Sequence, residues 1–334
     1  MDVATKAAVL PGSRLRENIL HVDPSGDVAY LQTTDETFTL SRSAALAFLR
    51  MRPYCTGYHK PEWIAELSGL SQPDVEAVLG ALSASSIVIT PDSNAPALDA
   101  VPRLLMAACK LWGEELNRTY IGNRLVAGGT RTLLIGWLLE MQHYIRAFPE
   151  VIWHAAAVAD GSLKEVLERY ARQEVGHEEF VIETLQNLGL TRPEIVGSVP
   201  LVSTRTIVML MHELVSTTPA AMLFVAALVE AQEFDDEQVR RFTDALGRTY
   251  AVPADSFAPY FEHQRIDVEL GHSKLLEEHL DLVSLASMEQ ADLLTDRLHD
   301  LKHTFDLQGL EIQNYYGELA GKYLPRQPMT VTSL

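Results

Sequence analysis

Several stretches of this chain bring acids and imidazoles together at helical spacing. Glu174 and His177 stand three apart, and His263 and Asp267 four apart. At about 100° per residue each pair shares one face of a helix, as a common metal ion requires. Glu230 closes an apolar run, where an unpaired carboxylate is costly to bury. Glu140 stands among Trp137, Leu138 and Leu139. Any one such pair arises often by chance on a solvated helix. Together they form a stronger signal, because carboxylate with imidazole is the donor set of non-haem iron or manganese. A helical bundle core is a usual place for it.

The elements that must hold these groups are helices. Helical periodicity runs near 102–118, 129–147, 161–189, 201–216, 218–233, 235–247, 258–281 and 285–318, with Gly189 as a C-cap. Thr217-Thr218-Pro219 and Pro253-Ala254-Asp255 read as helix starts. Long helices joined by short turns predict a bundle over residues 102–325. A ferritin-like four-helix order does not fit, since the Glu-x-x-His pairs at Glu140 and Glu174 come consecutively and the last pair is His-x-x-x-Asp.

Residues 1–90 read differently. Strand-like runs at 19–22, 29–31 and 37–40, with the turn Pro24-Ser25-Gly26-Asp27 between the first two, precede helical patterns at 43–51, 61–67 and 72–85. Ser41 and Ser71 are N-cap candidates, Pro61 suits a first helical turn, and 87–89 closes the unit as a strand. A hairpin, three helices and a wing-like strand predict a small α+β winged-helix domain. Residues 91–101, proline-rich and aperiodic, read as a linker.

A net charge of -18 argues against nucleic acid or an anionic membrane as partner. Two cysteines give no disulfide framework and no thiolate zinc site. With no signal-like stretch and no apolar run of about 18 residues, a cytoplasmic location is the expectation.

The order of elements over residues 14–90 resembles the PqqD-like family, the leader-recognition module of ribosomal-peptide-modifying enzymes. That resemblance implies a peptide or carrier-borne substrate pairing with a sheet edge as an added strand. Over residues 105–282, "QEVGHEEF", "HQRIDVE" and "GWLLEMQHYI" resemble the haem-oxygenase-like iron-containing redox enzymes. Pyrroloquinoline-quinone synthase and the TenA thiaminases share their scaffold. The resemblance implies a mainly α fold, a haem-oxygenase-like bundle, with Glu140, Glu174, His177, Glu230, His263 and Asp267 at metal-ligand positions. It further implies oxygen activation at two irons, used on amino- or fatty-acid-type substrates.

One position departs from that family. Its last helix usually reads His-x-x-x-Asp-x-x-His, and here Leu270 stands at the final place. His272 lies about 140° from Asp267 on an ideal helix and is expected to point elsewhere. One iron, rather than two, is then the alternative. A metal-free oxidase of the quinone-synthase type would rely on Tyr144 and Arg265 as catalytic groups, with His143 and His177. Tyr144 and His143 also suit plain core packing, and Arg265 a neighbouring acid. A non-catalytic peptide-binding scaffold is the reading from a different class. A homodimer through the last helix, with Asn314-Tyr315-Tyr316, stays open.

Overall fold

The computed structural model describes residues 12–23, 26–89, 96–230, 236–317 and 322–333. The expected turn residues Pro24 and Ser25, the linker residues 91–95 and the helical pattern at 231–233 lie outside them. The chain forms two compact units, Met1–Ala97 and Leu98–Leu334.

In the first unit, β2 (Ile19–Val22), β3 (Val28–Gln32) and β4 (Thr37–Ser41) form an antiparallel meander in the order β2-β3-β4. The third run therefore extends the expected hairpin into a sheet. β1 (Arg14–Leu15) pairs separately with β5 (Val88–Ile89). Between them lie α1 (Arg42–Met51), α2 (Pro61–Ser68) and α3 (Gln72–Ala84). Ser41 and Ser71 accept from the backbone of Ala44 and Asp74, each satisfying one of the free N–H groups at a helix start. Pro61 opens α2, and Gly69 closes it in the left-handed region. The alternation of β3 buries Ala29 and Leu31, and Leu31 packs with Phe48, Leu82 and Ile87.

Every regular element among the described residues of the second unit is helical. It comprises α4 (Val101–Thr119), α5 (Ile121–Ala127), α6 (Arg131–Val158), α7 (Gly161–Glu174), α8 (Glu178–Asn187) and α9 (Arg192–Val196). These are followed by α10 (Val202–Thr217), α11 (Ala221–Val229), α12 (Asp236–Tyr250), α13 (Ala258–Leu270), α14 (Leu275–Glu278) and α15 (Met288–Tyr316). Two hydrophobic cores fill it. One gathers Trp112, Phe148, Tyr170, Met211, Phe224 and Leu298 from α4, α6, α7, α10, α11 and α15. The other gathers Leu125, Trp137, Leu185, Leu246, Tyr260 and Ile312 from α5, α6, α8, α12, α13 and α15. Tyr144 packs against both. No helix among the described residues is long and apolar enough to cross a membrane.

Two predicted helices are broken. The stretch 161–189 divides at Val175–His177, where Gly176 has φ +92°, and 258–281 divides at Gly271, φ +75°. These are conformations that glycine adopts without steric cost. Helix α6 runs past its expected end at 147, carrying the buried Pro149 inside it. Its apolar face outweighs the backbone bond that proline forfeits.

Candidate metal centre

Both glycine breaks open onto one buried spot. Glu174 is the last residue of α7, and His177 follows Gly176 at the start of α8. His263 and Asp267 lie one turn apart on α13, and Glu230 caps α11. The chain then ends α13 at Gly271 and returns inward, so that His272 is 1% exposed while Leu270 is 39% exposed. The ideal-helix expectation for His272 fails because the helix no longer exists at that residue.

The donors form two groups, His177 with His263 and Asp267, and Glu174 with Glu230 and His272. Within each group the candidate ligand atoms lie within 4.8 Å of one another. Glu174 and Asp267 connect the groups. His177 Nδ1 is 3.3 Å from both Glu174 Oε2 and Asp267 Oδ1. His272 Nδ1 is 2.8 Å from Glu174 Oε1 and 3.6 Å from Asp267 Oδ1. His263 Nε2 lies 3.3 Å from Asp267 Oδ2.

These groups are crowded yet poorly satisfied. Glu174 Oε1, His177 Nδ1, Asp267 Oδ1, His263 Nδ1 and His272 Nδ1 are buried without a well-aligned hydrogen bond, although His272 Nδ1 faces Glu174 Oε1 and His177 Nδ1 faces Asp267 Oδ1 as ion pairs. Each such atom costs about 1–3 kcal/mol unless something fills the space between them. Two imidazoles with one carboxylate is a set that holds non-haem iron, and the second group offers two carboxylates with one imidazole. The donor set therefore fits iron. A second rank of polar groups orients it, as ligand-supporting residues do. Tyr170 donates to Glu230 Oε1 at 3.3 Å, and Gln173 Oε1 lies 3.3 Å from His272 Nε2.

The local field is strongly acidic. Burial opposes the charge on His177, but the Asp267 and Glu174 carboxylates hold its imidazole protonated up to about 10. Burial likewise works against the Glu174 charge, and His177 and His272 overcome it and hold the carboxyl below its usual range. Burial, with Glu174 and Asp267 alongside, pushes Glu230 up. Burial and the same three carboxylates push the Tyr144 hydroxyl up, so it stays a phenol.

A cavity of about 470 Å³ opens beside this cluster, lined by Glu174, Glu230, His263, Asp267 and His272 on one side. Tyr144 and Phe148 continue its wall, with Trp137 and Tyr260 farther along.

Other sequence expectations fall elsewhere. Glu140 is fully buried but belongs to neither donor group. Its carboxylate accepts from the Leu201 amide at 2.9 Å, the Thr204 hydroxyl at 2.6 Å and the Tyr316 hydroxyl at 2.9 Å. Those three donors satisfy it from the side of α10 and α15, which removes it from the expected ligand set. Arg265 is exposed and pairs with Glu262 and Glu269 on its own helix, so the expected catalytic role gives way to a surface ion pair. His143 is buried against Ser198, with 2.9 Å between Nε2 and the hydroxyl, away from the cavity lining. Sequence reasoning missed His272. The signal was Gly271, which directly follows a periodic stretch and marks a helix end.

Residues 135–307 match the profile of the family described as "Iron-containing redox enzyme". No curated protein matches the chain. Among solved structures, the chain is similar to a domain of unknown function with a heme oxygenase-like fold from Shewanella denitrificans OS217. The identity is 16% and the TM-score 0.54, over 71% of this chain and 100% of that one. At that identity the likeness shows the fold, a haem-oxygenase-like bundle.

Proposed function

This chain belongs to the iron-containing redox enzyme family, and from that premise we propose that it is an O₂-dependent non-haem iron oxidase or oxygenase. The observation that carries the reading is the convergence of His177, His263 and Asp267 with Glu174, Glu230 and His272 in one cluster, five of whose members, all but His177, line one cavity. In this reading His177, His263 and Asp267 would hold one iron, and Glu174, Glu230 and His272 a second. Bound iron supplies the electrons that let O₂ serve as the oxidant. The chain's own residues do the rest. Tyr170 fixes the Glu230 carboxylate and Gln173 the His272 ring, so that both keep their donor atoms turned inward. Tyr144 stands beside the acids as a neutral phenol, in a cavity wall that also carries Trp137, Phe148 and Tyr260.

For the first unit we propose capture of a peptide or carrier-borne substrate. Support comes from the β2-β3-β4 meander, where neither β2 nor β4 has an outer strand partner among the described residues. An extended peptide adds to such an edge through backbone hydrogen bonds. Peptide maturation is the setting this implies.

The metal-free alternative draws less support, because Arg265 and His143 stand outside the cavity lining. The deciding experiment is metal content after anaerobic loading with ferrous iron, beside a Glu174→Ala, His177→Ala double variant. About two irons per chain, lost in the variant, is the expected result. One iron would reduce the centre to a mononuclear site. No specific iron would overturn the reading.

A further inference from the structure

Beyond the acids of the cluster, the cavity wall carries little charge. Its aromatic lining falls into two groups of rings in contact. Tyr120 meets Trp137 edge-on at 6.0 Å between ring centroids, and Trp137 meets Tyr260 at 5.5 Å. Tyr144 packs on Phe148 at 5.5 Å and on Phe305 at 5.9 Å. The polar positions between these rings are chiefly side-chain amides, Asn117, Gln264, Gln308 and Gln313. No lysine or arginine occurs among the described lining residues.

Lys302 and Arg124 each contact a lining residue without lining the cavity themselves. Lys302 lies 2.7 Å from Glu115 and 3.0 Å from Asp306, where it neutralises a lining acid. Arg124 bonds to Gln313 and is itself exposed. Glu140 is among the lining residues, and its carboxylate is taken up by Leu201, Thr204 and Tyr316. A ligand entering this space meets rings, methyl groups and amides.

Resting on the iron reading above, we propose that the cavity admits an uncharged apolar amino-acid side chain within a peptide, its carboxyl masked as an amide, and rejects free amino and fatty acids. A carboxylate moved from water into this space would give up hydration with no cation among the described lining residues to replace it. An amide carries no net charge and loses far less on the same transfer. The aromatic rings favour a flat or branched apolar group through edge-to-face contact. A free acid drawn to the metal centre would set its carboxyl rather than its side chain at the reacting position.

The test is calorimetric titration of the full-length protein, metal-free and iron-loaded under anaerobic conditions, with N-acetyltryptophanamide and with N-acetyltryptophan. The neutral amide is expected to bind at least about tenfold more tightly than the acid in both forms. Equal or tighter binding of the acid to the metal-free form overturns the proposal. Tighter binding of the acid to the iron-loaded form alone also overturns it, while leaving the iron reading intact. Absence of amide binding overturns it as well. Should the protein take no specific iron, the metal-free titration still decides. A second arm uses Met141→Lys, which sets an ammonium in the wall. The acid should then gain at least about tenfold, and a folded variant in which it gains nothing counts against the proposal.

Discussion

Gly69 in the first unit and Gly271 in the bundle close their helices alike. Their φ angles are 68° and 75°, and a Cβ at either would meet nothing within 4 Å. After Gly69 the chain steps to Ser71, which caps the next helix, and nothing further is built there. After Gly271 it turns a buried imidazole onto two carboxylates. The backbone event is the same in both places. What differs is the surroundings: solvent-facing residues in one case, three acids and two further imidazoles in the other. A local signal thus fixes a turn, and tertiary context decides whether the turn carries chemistry.

The sharpest break of that comparison removes what Gly271 delivers. His272→Ala should weaken iron binding at least about a hundredfold, at or beyond the range seen for supporting residues of a metal site. Leu270→Ala, at the position where spacing alone would put the ligand, should leave iron content unchanged. Ferrous titration of the two variants reads the contrast directly. Equal effects would show that His272 is structural.

Buried imidazoles offer a second contrast. His177 sits between acids and is held protonated, whereas burial, with Arg146 and Arg326 nearby, pushes His143 down to about 4. In the unfolded chain His143 titrates near about 6.5. Between those values the unfolded state binds the extra proton, so this contribution is complete above about 6.5. It declines as pH falls and is spent below about 4, a loss of up to about 3 kcal/mol. Urea midpoints of the parent and His143→Gln at pH 7 and pH 4.5 check this, and the variant should show the smaller drop.

Gly69→Ala and Gly271→Ala should each cost about 1–2 kcal/mol through the left-handed backbone alone. Thermal melts should find them similar. Iron titration should separate them, with affinity reduced in Gly271→Ala and unchanged in Gly69→Ala. Arg265→Ala marks the small end of the scale, with no change expected in iron content or melting, because its ion pairs lie in solvent.

The first unit was legible almost residue by residue, since Ser41, Ser71, Pro61 and the alternation of β3 are signals that act within a few residues of themselves. In the bundle, Glu174, His177, Glu230, His263 and Asp267 could be singled out because their types are rare on apolar helix faces, and the fold does bring them together. Glu140 shared that signature but meets donors from α10 and α15 that are distant in sequence. Spacing cannot reveal such partners. His272 was hidden for the opposite reason: an ideal helix was extended through Gly271, and angular arithmetic holds only while the backbone stays helical.

Helices α6 and α15 each run from one hydrophobic core of the bundle into the other, and Tyr144 touches both beside the acid cluster. The two cores therefore share their longest struts. Neither half can melt while those struts stay whole, so the bundle should unfold as one cooperative unit. An occupant of the cavity sits at the seam between them. Its binding free energy is added to the stability of both halves at once, and loosened packing in either half is felt at the seam.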